Sequence, residues 1–169
     1  MNRSFFRDNN GLYCSGGIYN CFAELAVYNS VFLLNDGGAI YDVGDGGTTI
    51  VNCSFARNEG YALWAYSGSF VLADTILWRG YEISPSSDVR NCCIKKCVPP
   101  LGWIDMITAP PRFKDADLRI RSDSPCMDSG DNASLPTWID CDGNGEDRIV
   151  APTGGTPVID IGAYEIQAP

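Results

Sequence analysis

Two acidic residues with equivalent neighbours are the first candidates for chemistry. Asp36 and Glu59 each directly follow an asparagine, Asn35 and Asn58, and the two pairs lie 23 residues apart. Glycoside hydrolases place two carboxyl groups on either side of the scissile bond. Asp36 and Glu59 are therefore the catalytic candidates for a polysaccharide-acting enzyme, and solvated turn residues are the alternative. The chain has no histidine, which excludes a Ser–His or Cys–His nucleophile system.

One constellation has the residue types of a metal site, Asp140-x-Asp142-x-Asn144-Gly145. Oxygen ligands at alternate positions, followed by glycine at the sixth, resemble the first half of an EF-hand calcium loop. The second half departs from that pattern, because its twelfth position is Ala151 and not a bidentate glutamate. Calcium is the one candidate cofactor, and an acidic Asp-Gly turn without any cofactor is the interpretation we favour.

A third candidate site is a set of aromatic residues. Tyr19, Tyr41 and Trp64 each directly follow an aliphatic residue at equivalent positions of the sequence. If the aliphatic residues face a core, strand alternation turns the aromatic ones outward. An exposed row of rings can bind a glycan by stacking, or a surface protein. The alternative is that a loop or a second chain covers the rings.

An internal repeat must position these residues. The segment 27–41, VYNSVFLLNDGGAIY, recurs at 50–64 as IVNCSFARNEGYALW, and looser copies lie at 2–19, 72–83 and 89–94. A period of this length indicates a solenoid. The order of leucines typical of leucine-rich repeats is missing, and no long segment has the 3.6-residue period of a helix. The remaining interpretation is a repeat of short strands that are broken by Asn, Asp and Gly.

We therefore predict an all-β fold for residues 1–98, a right-handed parallel β-helix of the pectate-lyase-like type with four to five rungs. Equivalent residues such as Phe32 and Phe55 should then stack about 4.8 Å apart. The pair Gly37-Gly38 is expected to supply positive φ at a corner of the coil. An uncovered first rung would expose strand edges. We expect an upstream rung, an unusual cap or homo-oligomer formation there.

The repeats resemble a known family. Phe-x-x-Asn recurs at 6–9, 32–35 and 55–58, with Gly-Gly-Ala-Ile at 37–40. This pattern is similar to the repeats of polymorphic outer-membrane proteins of the chlamydial type and of other secreted bacterial β-helix proteins. The resemblance implies the β-helix fold.

The period ends at Pro99-Pro100, because two prolines cannot continue a central strand. We expect residues 99–169 to form an irregular lobe that caps the end of the coil, with Ile159, Ile161 and Tyr164 over the last rung. We expect Asp128, Asp131 and Asp160 to accept hydrogen bonds from loop amides.

Five blocks of this lobe carry a second resemblance. They are PRFKD–LRI (111–120), SPCMDSGDN (124–132), DCDGNG (140–145), Arg148 and VIDIGAYE (158–165). Their order and spacing resemble the C-terminal module of the choice-of-anchor family of secreted bacterial β-helix proteins. The resemblance implies an extracellular or cell-surface location, although we find no export signal and no anchor in the sequence.

Composition narrows the classes of partner. The net charge is −9, and ten Asp and two Glu follow residue 100. Nucleic-acid binding is not expected, because it needs a basic surface. The sequence contains no run of 18 apolar residues, so it does not predict a membrane-spanning helix.

Eight cysteines predict disulfides in an oxidising compartment. Cys126–Cys141 is the first choice, Cys14–Cys21 is another, and Cys92 or Cys93 could pair with Cys97. A zinc site is not expected.

The sequence leaves three functions open. We favour an extracellular, adhesin-like binding or structural module, without catalysis, that binds a glycan or a surface protein on the face of Tyr19, Tyr41 and Trp64. The second is a polysaccharide hydrolase or lyase that uses Asp36 and Glu59 or the Asp140 loop. The third is a homo-oligomer whose interface is the aromatic face or the open first rung.

Overall fold

The computed structural model describes residues 1–11, 15–79, 81–83, 87–95, 102–150 and 155–167. These ranges contain the following strands and one 3-10 helix: β1 (Phe5–Arg7), β2 (Ile18–Cys21), β3 (Leu25–Tyr28), β4 (Val31–Leu33), β5 (Ile40–Val43), β6 (Thr48–Val51), β7 (Ser54–Ala56), β8 (Tyr61–Ala65), β9 (Phe70–Ala73), β10 (Ile76–Trp78), β11 (Tyr81–Ile83), β12 (Asp88–Arg90), β13 (Cys93–Ile94) and the helix Asn132–Ser134.

The strands form three parallel sheets that share one core. The first sheet has the order β1-β4-β7-β10-β13, the second β2-β5-β8-β11 and the third β3-β6-β9-β12. Every third strand returns to the same sheet, so three strands make one turn of a coil. The fold is therefore a parallel β-helix, as the repeat predicts.

The register of the sheets reproduces the columns of the sequence repeat. Phe32 pairs with both Phe6 and Phe55 in the first sheet. The rings of Phe6, Phe32 and Phe55 stack with 4.6 Å between neighbouring centroids and 3° between their planes. Since Phe32 and Phe55 are both buried, this column forms part of the continuous core inside the coil.

The corners of the coil use residues that tolerate a left-handed backbone. Asn29, Asn52, Asp74 and Asn91 occupy one corner column with φ between 46° and 51°. Asn and Asp adopt this conformation more readily than most residues. The pair Gly37-Gly38 turns another corner, with φ of 84° and 97° as predicted.

The C-terminal lobe lies along the flank of the first sheet. Tyr164 packs with Val31 and Leu33, and Ile161 packs with Ile76. This differs from the expectation that Ile161 and Tyr164 cover the last rung. The outward residues Val31, Leu33 and Ile76 of the first sheet are apolar, so the lobe removes them from water by packing on this flank.

Residues 102–107 cover the last rung instead. Ile104 forms a parallel bridge to Arg90, and Ile107 forms one to Cys93. The side chains of Trp103 and Met106 pack against the core of the coil. The end of the coil is thus closed by a short segment that adds a partial further rung.

Cysteine pairing differs from the first choice made from the sequence. The six described cysteines are all unpaired, so the predicted Cys126–Cys141 bond is absent. Cys126 is buried with Cys93 between the coil and the lobe, whereas Cys141 is partly exposed. The predictions that involve Cys14 and Cys97 lie outside the described residues.

Candidate functional site

The three aromatic candidates form one column on the outside of the second sheet. Tyr19 pairs with Tyr41, and Tyr41 pairs with Trp64. Their aliphatic neighbours Ile40 and Leu63 are buried in the core, which turns the rings outward as strand alternation requires. Tyr19 is 52% exposed, whereas Tyr41 and Trp64 are half-buried.

Two pairs of aromatic rings are in contact on this face. The Tyr19 and Tyr41 rings stack with 5.7 Å between their centroids and 7° between their planes. Tyr61 adds a ring that lies 4.4 Å from Trp64, centroid to centroid, with the planes tilted by 41°. The sequence repeat did not single out Tyr61, because its equivalent one turn earlier is Gly38.

The aromatic column borders a pocket that also holds the two acidic candidates. The pocket has a volume of about 380 Å³. We call it the Tyr41–Trp64 pocket, and its lining residues are Asp36, Gly37, Ile40, Tyr41, Glu59, Gly60, Tyr61 and Trp64. The structure therefore brings Asp36, Glu59, Tyr41 and Trp64 together, while Tyr19 lies one rung beyond the lining residues.

Backbone hydrogen bonds hold the acidic side of the pocket in place. The N–H of Asp36 donates to the carbonyl of Asn9 (2.9 Å), and the N–H of Glu59 donates to the carbonyl of Asn35 (2.8 Å). Both acidic residues are exposed. They come from successive rungs, so their column places two negative charges on one wall of the pocket.

The charge of the pocket restricts its ligands. Among the residues that the structure describes, its lining contains two carboxylates and no lysine or arginine. Because like charges repel, an anionic ligand is disfavoured, whereas hydroxyl or ammonium groups can donate hydrogen bonds to the carboxylates.

The candidate calcium loop makes protein contacts with its oxygen atoms. The buried Asp142 carboxylate accepts hydrogen bonds from the backbone N–H groups of Asn144 (2.8 Å), Glu146 (3.1 Å) and Glu165 (2.9 Å). Asn144 Oδ1 accepts from Arg119 (2.8 Å). Among the described residues, no group of three or more acidic, cysteine or histidine side chains could hold a metal ion. Calcium binding by Asp140, Asp142 and Asn144 stays a prediction.

A buried arginine organises the lobe, and its burial was not predicted. The Arg148 side chain is fully buried, and its Nη2 donates to the carbonyls of Asp160 (2.8 Å) and Gly162 (2.7 Å). Its Nε lies 3.7 Å from Oε2 of Glu165. Burial lowers the pKa of Arg148.

Acidic groups around Arg148 have raised pKa values. Burial raises the pKa of Glu165 to about 8. Burial raises the pKa of Asp74 and of Asp160 to about 6. Asp160 also accepts hydrogen bonds from the N–H groups of Asp128 (2.7 Å) and Ile166 (2.8 Å), as expected for a residue that orders loops. This cluster is a structural centre of the lobe, on a different face of the molecule from the Tyr41–Trp64 pocket.

No protein-family model, curated protein or solved structure matches this chain. In the described ranges no helix has the length and apolar character needed to cross a membrane.

Proposed function

We propose that this protein binds a glycan on the aromatic face of its coil, as an extracellular module of adhesin-like type. The observation that carries the proposal is the pocket in which Tyr41, Tyr61 and Trp64 lie beside Asp36 and Glu59. Ring faces pack against the C–H faces of sugars, and a few polar groups at the edge of a pocket orient the ligand. The resemblance of the lobe to the choice-of-anchor family supports the extracellular location.

The chemistry of the pocket favours neutral sugars or amino sugars over uronic acids and sulfated sugars. Sugar hydroxyls and a protonated amine can both donate to Asp36 and Glu59, and the bond from an amine is charge-assisted. A volume of about 380 Å³ is at the small end of ligand pockets, which suits a short segment of a chain. Tyr19 continues the ring surface by one rung, so we propose that a longer glycan runs along the axis of the coil.

Calorimetric titration with three oligosaccharides of similar length tests the proposal. A chitosan oligomer carries amines, its N-acetylated form is neutral, and oligogalacturonate is anionic. We expect the first two to bind and the third not to bind. Each titration is repeated with a chelator, because the calcium prediction for the Asp140 loop is independent of the pocket.

Variants of aromatic residues inside and outside the pocket test which rings bind the glycan. Trp64→Ala and Tyr41→Ala should each weaken binding about tenfold or more, because each removes a ring from the pocket. Tyr66→Ala should leave affinity unchanged, because Tyr66 is 75% exposed and does not line the pocket. Equal affinity of all three variants, or no binding by the wild type, would overturn the proposal.

A polysaccharide-acting enzyme is the second candidate, because Asp36 and Glu59 line the same pocket. Hydrolysis would release new reducing ends from a bound oligosaccharide. Asp36→Asn and Glu59→Gln should then abolish release while the ring contacts still hold the ligand. Unchanged oligosaccharides after prolonged incubation with wild type would remove this candidate and leave the binding proposal intact.

A protein partner or a second copy of the chain could occupy the same aromatic face. Light scattering after size-exclusion chromatography separates these outcomes. A dimer that Trp64→Ala converts to a monomer would assign the face to self-association, and glycan binding would then be excluded at that surface.

A further inference from the structure

Two cysteines meet at the junction between the coil and the lobe. Cys93 lies in β13, where Ile94 points into the core and Cys93 points outward to the lobe. Cys126 lies in the lobe, and both side chains are fully buried in one apolar cluster with Ile76 and Ile161. Sγ of Cys93 donates to the carbonyl of Ala109 (3.4 Å), and the neighbouring Cys126 thiol is the largest cause of the raised pKa of the Cys93 thiol. The two cysteine side chains are therefore buried side by side at the junction.

The backbone holds both cysteines in this position. The N–H of Cys126 donates to Ser124 Oγ (3.1 Å), and its carbonyl accepts from the N–H of Ile161 (2.9 Å). The N–H of Cys93 donates to the carbonyl of Thr75 (3.0 Å) in the rung before. Cys92 faces the opposite way, into the core of the coil, where its Sγ donates to the carbonyl of Arg90 (3.1 Å).

We propose that Cys93 and Cys126 form a disulfide that fastens the lobe to the flank of the coil. The reaction is a two-electron oxidation in which both S–H bonds break, one S–S bond forms and two protons are released. The oxidant is a small-molecule disulfide such as oxidised glutathione, which accepts the two electrons and the two protons and leaves as two thiols. The exchange passes through a mixed disulfide between one cysteine and the oxidant.

Burial determines when this bond forms. The attacking species in thiol–disulfide exchange is the thiolate, and it must be accessible. The hydrogen bond from Cys126 and burial both raise the pKa of the Cys93 thiol, and neither sulfur reaches the surface. The disulfide therefore forms while the lobe is still off the coil, during folding in an oxidising compartment. Once it is formed, the folded junction shields it from reductants.

Peptide mapping tests the pairing directly. Trypsin leaves Cys92 and Cys93 in one peptide, and Cys126 and Cys141 in another, so a link between the two peptides would not show which cysteines are paired. In the C92S/C141S double variant each of these peptides keeps one cysteine, Cys93 or Cys126. It is refolded in a glutathione redox buffer, alkylated and digested without reductant. We expect the two peptides to be joined, with a mass two hydrogen atoms below their sum.

Thermal unfolding measures the effect on the junction. Oxidised wild type should melt about 10 °C above the same protein refolded with dithiothreitol, because the bond closes the loop between residues 93 and 126. C93S and C126S should abolish this difference, and C92S should retain it. Absence of the joined peptide would overturn the proposal. So would a Tm difference between oxidised and reduced protein that persists in C93S. If either variant fails to fold, the mapping of the C92S/C141S variant decides.

Discussion

At the scale of single residues, a ladder of asparagines holds the inside of one corner together. Asn35 Nδ2 donates to Oδ1 of Asn58 (2.9 Å), and Asn9 Nδ2 donates to Oδ1 of Asn35 (2.8 Å). The same Oδ1 atoms accept backbone N–H groups of the preceding rung, at 3.2 Å for Asn9 and 3.0 Å for Asn35. Each side chain thus satisfies polar groups of two rungs at once.

Replacing Asn35 by alanine should therefore be costly. The substitution removes the acceptor of the Asn9 amide groups and the donor to the Phe6 carbonyl and to Oδ1 of Asn58. Because the Asn35 side chain is fully buried, we expect a loss of about 2–4 kcal/mol in the free energy of unfolding. Urea denaturation measures this loss. Asn10→Ala is the matched control, because Asn10 is exposed. Similar midpoints for the two variants would show that the ladder does not stabilise the coil.

The acids around Arg148 make stability depend on pH in an unusual direction. Glu165 has a folded pKa of about 8 against an ordinary value of 4.5, and Asp74 and Asp160 have about 6 against 3.8. An acid with a raised folded pKa binds more protons in the folded state than in the unfolded state. Its contribution is therefore most favourable below the ordinary pKa and is lost as pH rises through the folded value.

We expect Tm to be higher at pH 5 than at pH 8. The corresponding difference in the free energy of unfolding should be on the order of 1–3 kcal/mol. Scanning calorimetry at several pH values measures it. Glu165→Gln should flatten the part of the curve between pH 6 and 8, because it removes the group with the highest folded pKa. A wild-type Tm that rises steadily from pH 5 to pH 8 would contradict this account.

The sequence predicted some of these residues and not others. The Asn and Phe columns were predictable because the repeat aligns them and a coil must stack them. The burial of Arg148 was not predictable from the residue alone, because arginine is usually exposed. A signal was present in the acidic residues that follow residue 100, since Asp142 comes from one segment and Asp160 and Glu165 from another, and the two segments meet only in the folded lobe.

At the scale of elements, one corner column serves as the docking edge for the lobe. Asn29 Nδ2 donates to the carbonyl of Cys141 (3.0 Å), and Asn52 Nδ2 donates to the carbonyl of Asp160 (3.3 Å). Asp74 Oδ1 accepts from the N–H of Asp131 (2.8 Å). Successive rungs thus bind three different segments of the lobe, which explains why the lobe runs along the coil.

Gly162 lies at a close contact between the lobe and the coil. Its φ is 116°, and an added Cβ would lie 2.8 Å from Cδ1 of Ile76 and 2.9 Å from Oγ of Ser54. We expect Gly162→Ala to destabilise the protein by about 2–4 kcal/mol, through backbone strain and overpacking. Thermal unfolding and limited proteolysis of the lobe measure the effect.

Gly155→Ala is the control for this prediction. An added Cβ at Gly155 meets nothing within 4 Å, so its Tm should stay close to that of the wild type. Wild-type stability in Gly162→Ala would mean that the lobe does not approach the coil as closely as described.

The rungs were predictable as elements, whereas the position of the lobe was not. Periodicity places each strand of the coil, because a column of equivalent residues must share a face. The lobe has no period, and its apolar residues could cover either the last rung or the flank. The apolar outward positions Val31, Leu33 and Ile76 on the first sheet were the missed indication, because an exposed sheet face would carry polar residues there.

At the scale of the whole molecule, different faces of the coil have different roles. The first sheet is covered by the lobe, and the second sheet presents the aromatic column and the Tyr41–Trp64 pocket. The sequence predicted Tyr41 and Trp64 as a binding surface and Asp36 and Glu59 as a separate acidic pair. The two sets share one pocket because Asp36 lies in the short corner between β4 and β5, and Glu59 lies in the equivalent corner between β7 and β8. Each acid is thus brought beside the strand that it precedes.

Backbone amide chemical shifts measured during titration with a chitosan oligomer test the central claim most directly, because they report which residues the ligand contacts. The account predicts saturable changes confined to residues 36–41 and 59–64, extending to Tyr19 for longer oligomers, with no change at the lobe residues around Arg148. An absence of shifts, or shifts centred on another face of the molecule, would contradict it.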